Sequence, residues 1–137
     1  MYGASGETPV SRILNIRTSR VDGCALVWLG GEMDITGVIE ARTVLRTALV
    51  DGESRLVVDV TDLAFIDASG LQVLVSAAKQ AGQCGGWLCL VGARDLLRRM
   101  LRIVHLTTVL PVYDTVQAAL AANGLAAGQL LRQGSDG

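Results

Sequence analysis

The sequence predicts a single α/β domain: a mixed β-sheet of about five strands that opens with an N-terminal hairpin, accompanied by about four helices. Three observations carry this prediction. Short apolar runs rich in β-branched residues recur along the chain, Leu56 to Val60 (LVVDV) among them. Between these runs, apolar residues fall at helical spacing. The first two runs are joined by a turn too short to hold a helix, so they form a hairpin, while the later strands alternate with helices and imply parallel pairing.

The elements follow in order. Ile13 to Ser19 (ILNIRTS) alternates apolar and polar, a half-buried strand. Val21-Asp22-Gly23 supplies a turn with a glycine for positive φ, and Ala25 to Gly30 (ALVWLG) is a more buried strand. Thr36 is the expected N-cap of a helix whose stripe is Ala41, Val44, Leu45, Ala48 and Leu49, stopped by Asp51-Gly52. After the Leu56 to Val60 strand comes a junction, Ala64 to Gly70. A helix follows with Leu71, Leu74, Val75 and Ala78 on one side. Gly85-Gly86 leads into a strand from Trp87 to Val91. Leu97, Met100, Leu101 and Val104 mark the third helix, and Val109 to Val112 the last strand. Asp114 is the expected cap of a final helix reaching Asn123. Residues 1–12 read as a flexible arm, 13–123 as the domain and 124–137 as a flexible tail. Trp28 and Trp87, both in strands, are expected in the core.

Composition narrows the function. Hydrophobic residues make up 50% and charged residues 18%, a balance that favours folding over disorder. A net charge of −1 argues against a nucleic-acid surface, which needs clustered Lys and Arg. The one basic cluster, Arg94, Arg98, Arg99 and Arg102, reads as a solvated helix face. Mean hydropathy is high, at +0.43, yet the longest charge-free run, Thr115 to Leu131, holds two Gln, an Asn and two Gly and is too polar to cross a membrane. The N-terminus has no signal-peptide pattern. Cys24, Cys84 and Cys89 show no CxxC spacing and are expected as reduced thiols of a cytoplasmic protein, Cys84 the most exposed. No metal site is expected, because His105 is far from the cysteines in sequence.

Two strand-to-helix junctions remain: Gly31-Glu32-Met33-Asp34 and Asp67-Ala68-Ser69-Gly70. If their strands are parallel neighbours, both lie at the carboxyl edge of the sheet, where α/β folds build their sites. Two carboxylates and a hydroxyl would then share one surface. Ser69-Gly70-Leu71-Gln72 fits a capping box, so Ser69 reads either as a helix cap or as a functional serine at a helix N-terminus, where a phosphate is favoured. Gly70 would let a partner's backbone approach. A nucleophilic serine needs a base, and the lone His105 reads as a partly buried structural residue. Neither a GxSxG elbow nor a phosphate-binding glycine loop is present. Asp34 and Asp67 alone are weak evidence for a cation site. No catalytic residue and no cofactor is expected.

The element order, Gly31-Glu32-Met33-Asp34, Leu63 to Leu71 (LAFIDASGL) and the Gly86-containing strand resemble STAS domains, and within them the bacterial anti-sigma factor antagonists. The resemblance covers about Ile13 to Asn123. It implies that the unphosphorylated protein binds an anti-sigma factor that is itself a serine kinase, releasing a sigma factor. It also implies that the kinase phosphorylates Ser69 and that a phosphatase restores it. The partner surface would comprise Glu32, Asp34, Asp67, Ala68, Ser69, Gly70 and Leu71. Two positions depart from the family pattern: Ala68, where a second Ser or Thr is common, and Val104-His105-Leu106, where a Gly-Leu pair is common. Two other readings stay open, a STAS subunit or scaffold of a transporter or stress-signalling complex and a small enzyme or ligand carrier using the edge carboxylates.

Overall fold

The computed structural model describes residues 14–124 apart from 22, 51 and 52. The expected arm, all of the expected tail but Gly124, and the Asp51-Gly52 helix stop therefore lie outside the described residues. Strand β1 (Leu14–Val21) pairs antiparallel with β2 (Cys24–Met33), from Leu14 opposite Gly31 to Val21 opposite Cys24. Helix α1 (Val38–Val50), strand β3 (Arg55–Asp59) and strand β4 (Leu63–Ile66) follow. Then come α2 (Ala68–Gln83), β5 (Trp87–Val91), α3 (Asp95–Ile103), β6 (Val112–Tyr113) and α4 (Val116–Ala122). The six-stranded sheet runs β1-β2-β3-β5-β6, with β4 also paired to β2, and every pairing after the hairpin is parallel.

The sixth strand, β4, is the main departure from expectation. Three of its four residues, Ala64 to Ile66, belong to the stretch that the sequence marks as a junction. β3 pairs with the first part of β2, Ala25 to Trp28, and then leaves the sheet in a turn where the Thr61 N–H donates to Asp59. β4 resumes the pairing along the last part of β2, with Glu32 level with Phe65 and Met33 with Ile66. A β-bulge at Gly31/Glu32 permits the change of partner. Gly31 adopts φ 94°, which a side chain would resist, and its N–H reaches the Asp62 carbonyl. β2 therefore runs three residues beyond Gly30, to Met33. The last strand is also displaced. Val109 and Leu110 both donate N–H bonds to the Leu106 carbonyl, a helical-type turn that leaves only Val112–Tyr113 to pair with β5.

Strand alternation divides the core in two. Leu56, Val58, Leu88 and Leu90 face the major core, which α1, α2 and α3 cover with Ala41, Leu45, Leu74, Ala77, Leu97 and Leu101. Val57, Cys89 and Val91 face the opposite side and form a minor core with Cys24 under Ala119 and Leu120 of α4. Neither tryptophan is fully buried. Trp87 packs at the border of the minor core. Trp28 lies flat on the sheet, where the Arg17 guanidinium stands 5.1 Å from its ring centroid and its Nε1–H donates to Asp62. The ring covers Gly30, where a Cβ would come within 2.5 Å of it. Its indole N–H takes its partner, Asp62, at the surface.

Candidate functional site

β2 and β4 are direct parallel neighbours, so the ends of both strands open onto one edge. There the Asp67 N–H donates to the Met33 carbonyl across the pair, joining the two junctions. Gly70 completes the closure. A Cβ on it would stand 2.7 Å from the Met33 carbonyl oxygen and 2.9 Å from Ile66 Cγ1. Glycine is thus required for α2 to start against the end of β2, and the close approach it permits is intramolecular, not to a partner's backbone. Leu71 is likewise buried, 8% exposed, and packs in the major core. Of the seven expected partner-facing residues, Ala68 is exposed and Glu32, Asp34, Asp67 and Ser69 are half-buried at the edge, while Gly70 and Leu71 are interior.

The cap of α2 is Asp67, not Ser69. Asp67 has extended backbone angles, and its Oδ1 accepts the Gly70 N–H at 3.1 Å and the Ser69 hydroxyl at 2.6 Å. A carboxylate is the stronger acceptor and gains from the positive end of the helix dipole. Ser69 therefore sits inside the first turn, its proton already engaged by Asp67. The Ser69 hydroxyl, and then the Gly70 N–H, hold the Asp67 carboxyl below the usual carboxylate range, against a smaller opposing effect of the Asp34 charge. The Asp67 N–H bond to the Met33 carbonyl, next to Asp34 in the chain, is what brings the two acidic residues to one edge.

Two further helix starts also differ from the sequence expectation, the first in the same sense and the second in the opposite one. Asp34 Oδ1 accepts both the N–H (2.9 Å) and the hydroxyl (2.6 Å) of Thr36. The Asp34 carbonyl takes the Gly37 and Val38 N–H groups, so the turn into α1 is organised by Asp34 and α1 starts two residues after Thr36. At α4 the cap is Thr115, whose hydroxyl accepts the Ala118 N–H, while Asp114 pairs with Arg98 at 2.9 Å.

The edge also carries apolar surface that stripe analysis passed over. Ile35 and Ile39 at the start of α1, Phe65 on β4 and Leu96 at the start of α3 are 71%, 67%, 41% and 52% exposed. Ile39 and Leu96 are out of phase with the buried faces of their helices, the signal by which sequence could have found them; Ile35 precedes α1, and Phe65 lies on a strand without alternation. His105 is remote from this edge. It follows the far end of α3, is exposed, and holds φ 58° in the left-handed region. Its N–H donates to Arg102 and that of Leu106 to Leu101, a helix-ending motif normally closed by glycine. Among the described residues, no group of three or more His, Cys, Asp or Glu could hold a metal ion, and no helix is long and apolar enough to cross a membrane.

A mixed six-stranded sheet that opens with a hairpin and carries four helices is the fold of STAS structures. The family model for the STAS domain matches residues 15–119, and the chain belongs to this family, among the anti-sigma factor antagonists. It is 30% identical over 101 residues to the anti-sigma-B factor antagonist of Staphylococcus aureus, an alignment covering 74% of this chain and 94% of that protein. The crystal structure of an anti-sigma factor antagonist from Mycobacterium paratuberculosis superposes with a TM-score of 0.75 at 23% identity, covering 82% of this chain and 96% of that one. The Bacillus cell fate determinant SpoIIAA in its phosphorylated form matches with a TM-score of 0.65 at 19% identity, over 79% of this chain and 98% of that one.

Proposed function

We propose that this protein is a phosphorylation-controlled switch in the cytoplasm. In this reading, its unphosphorylated form binds an anti-sigma factor with serine kinase activity and so frees a sigma factor. Phosphorylation of Ser69 by that kinase ends the interaction, and a phosphatase acting on phospho-Ser69 restores it. The observation that carries this reading is the position of Ser69, on the first turn of α2 and bonded to Asp67, beside Asp34 and on an edge that also exposes Ile35, Ile39, Phe65 and Leu96. Apolar side chains at that edge suit a protein partner, since exposed apolar clusters mark interaction sites. A phosphoryl group adds about −1.5 to −2 charges. Next to Asp67 and Asp34 it would raise the cost of desolvating the edge against a partner.

The test is made on Ser69 and on the partner together. Mass spectrometry of the protein from its host is expected to find phosphate on Ser69, and none at that site in Ser69→Ala. Ser69→Asp is expected to capture the anti-sigma factor at least about ten-fold more weakly, the effect of about 1.4 kcal/mol, while remaining folded. Capture by Ser69→Asp as tight as wild type overturns the electrostatic account.

A further inference from the structure

We propose a second site, for a small organic carboxylate with an apolar body, in the cavity between α3 and the edge strand β6. The cavity has a volume of about 380 Å³, within the range of small-molecule sites. Leu101, Pro111 and Val112 give it an apolar lining, Arg98, Arg102 and Thr107 supply its polar side chains, and Tyr113, whose ring packs against the minor core, borders it. This is the composition a ligand with one charged end and one apolar end requires: water-free contact for the body and a few placed donors for the head.

The two arginines are unequal, and their difference selects the ligand. Arg98 is held in place, its Nε donating to the Ala93 carbonyl at 2.8 Å and its Nη2 to Asp114 at 2.9 Å. Its charge is already matched by Asp114. Arg102 lies one helical turn further along α3 and is exposed, and its side chain makes no hydrogen bond or ion pair with the described residues. The cavity thus offers one uncompensated positive charge. A monoanion balances it. A phosphate dianion would leave excess charge facing Asp114. A guanidinium and a carboxylate form paired, charge-assisted hydrogen bonds, so the carboxylate is the matching head group. The site lies along α3, away from Ser69, and does not depend on phosphorylation.

Octanoate is the probe, with octanol as its neutral counterpart and inorganic phosphate as the anion without an apolar body. Titrated into the full-length protein and followed by amide NMR, octanoate is expected to shift Thr107, Val112 and Tyr113 saturably. Octanol and phosphate are each expected to bind about ten-fold more weakly, in line with the loss of one charge-assisted bond or of apolar burial. Arg102→Gln should remove most of the octanoate preference and leave octanol binding unchanged. Arg102→Lys should restore part of it. No saturable shift at these residues, equal affinity for octanoate and octanol, or an Arg102→Gln variant that binds octanoate like wild type would each overturn the proposal.

Discussion

At the residue scale the central interaction is the short bond from the Ser69 hydroxyl to Asp67. It couples the proposed phosphorylation site to the cap of α2. Phosphorylation would remove the hydroxyl donor and place a second anion beside a carboxylate that holds the Gly70 N–H. The coupling has a titration signature. The Asp67 carboxyl is lowered from 3.8, with the Ser69 hydroxyl as the largest cause. A group with a depressed folded pKa contributes stability above its unfolded value, and loses it as pH falls through the folded one. The Asp67 contribution is therefore complete above about pH 4 and disappears on further acidification. In Ser69→Ala the main cause is gone, so Asp67 should titrate nearer the ordinary range and its contribution should fade at higher pH. Carbon-13 shifts of the Asp67 carboxyl measure this directly, and an unchanged midpoint in Ser69→Ala would show that the hydroxyl does not hold the carboxylate. Sequence placed Asp67 and Ser69 at one helix start but could not assign the cap. Both residue types are good N-caps, and Ser69 with Gln72 fits the capping pattern. Only the helix phase, set here by the Asp67 N–H bond to Met33, decides between them.

At the element scale, the ends of strands and helices are where tertiary context overrode local pattern. The paired part of β4 is four residues long and half-exposed, with no alternation to mark it. It is a strand because the bulge at Gly31 turns the end of β2 toward it. The termination of α3 is legible in a different way. Val104-His105-Leu106 departs from a Gly-Leu pattern, and the structure keeps the glycine-type geometry with a histidine in it. An L-residue in the left-handed region carries a conformational cost of about 1–2 kcal/mol. Glycine removes that cost and gives back part of it through the greater freedom of its unfolded chain. His105 is exposed, and its side chain has no bond to lose. His105→Gly should therefore stabilise the protein by about 0.5–1 kcal/mol, read as a rise of about 2–4 °C in Tm. A lower Tm would mean that the imidazole makes a contribution the backbone geometry does not reveal.

At the scale of the whole molecule, the order of elements other than β4 and the meeting of two junctions at one edge were legible, because apolar periodicity and parallel crossovers fix them. The unequal cover of the two faces was not. Among the described residues, three helices pack on the major core, whereas the minor core of Cys24, Val57, Cys89, Val91, Ala119 and Leu120 lies under α4 alone, a helix of seven residues. So short a helix owes its stability to docking and to its Thr115 cap. It should undock locally before the domain unfolds. The cysteines report on this. Cys84 is exposed, while burial pushes the Cys24 thiol up to about 11 and the Cys89 thiol up to about 12. In the native state Cys84 alone should react rapidly with a thiol reagent, since the thiolate is the reactive form. Cys24 and Cys89 should react only through opening of α4. Thr115→Ala removes a cap worth about 1 kcal/mol, so it should speed their modification about five-fold and leave Cys84 unchanged. Low urea separates local from global opening, because its effect scales with the surface exposed. If α4 is the gate, the rates at Cys24 and Cys89 rise only weakly with urea. Rates that instead follow the full urea dependence of unfolding would mean that the two faces of the sheet open together.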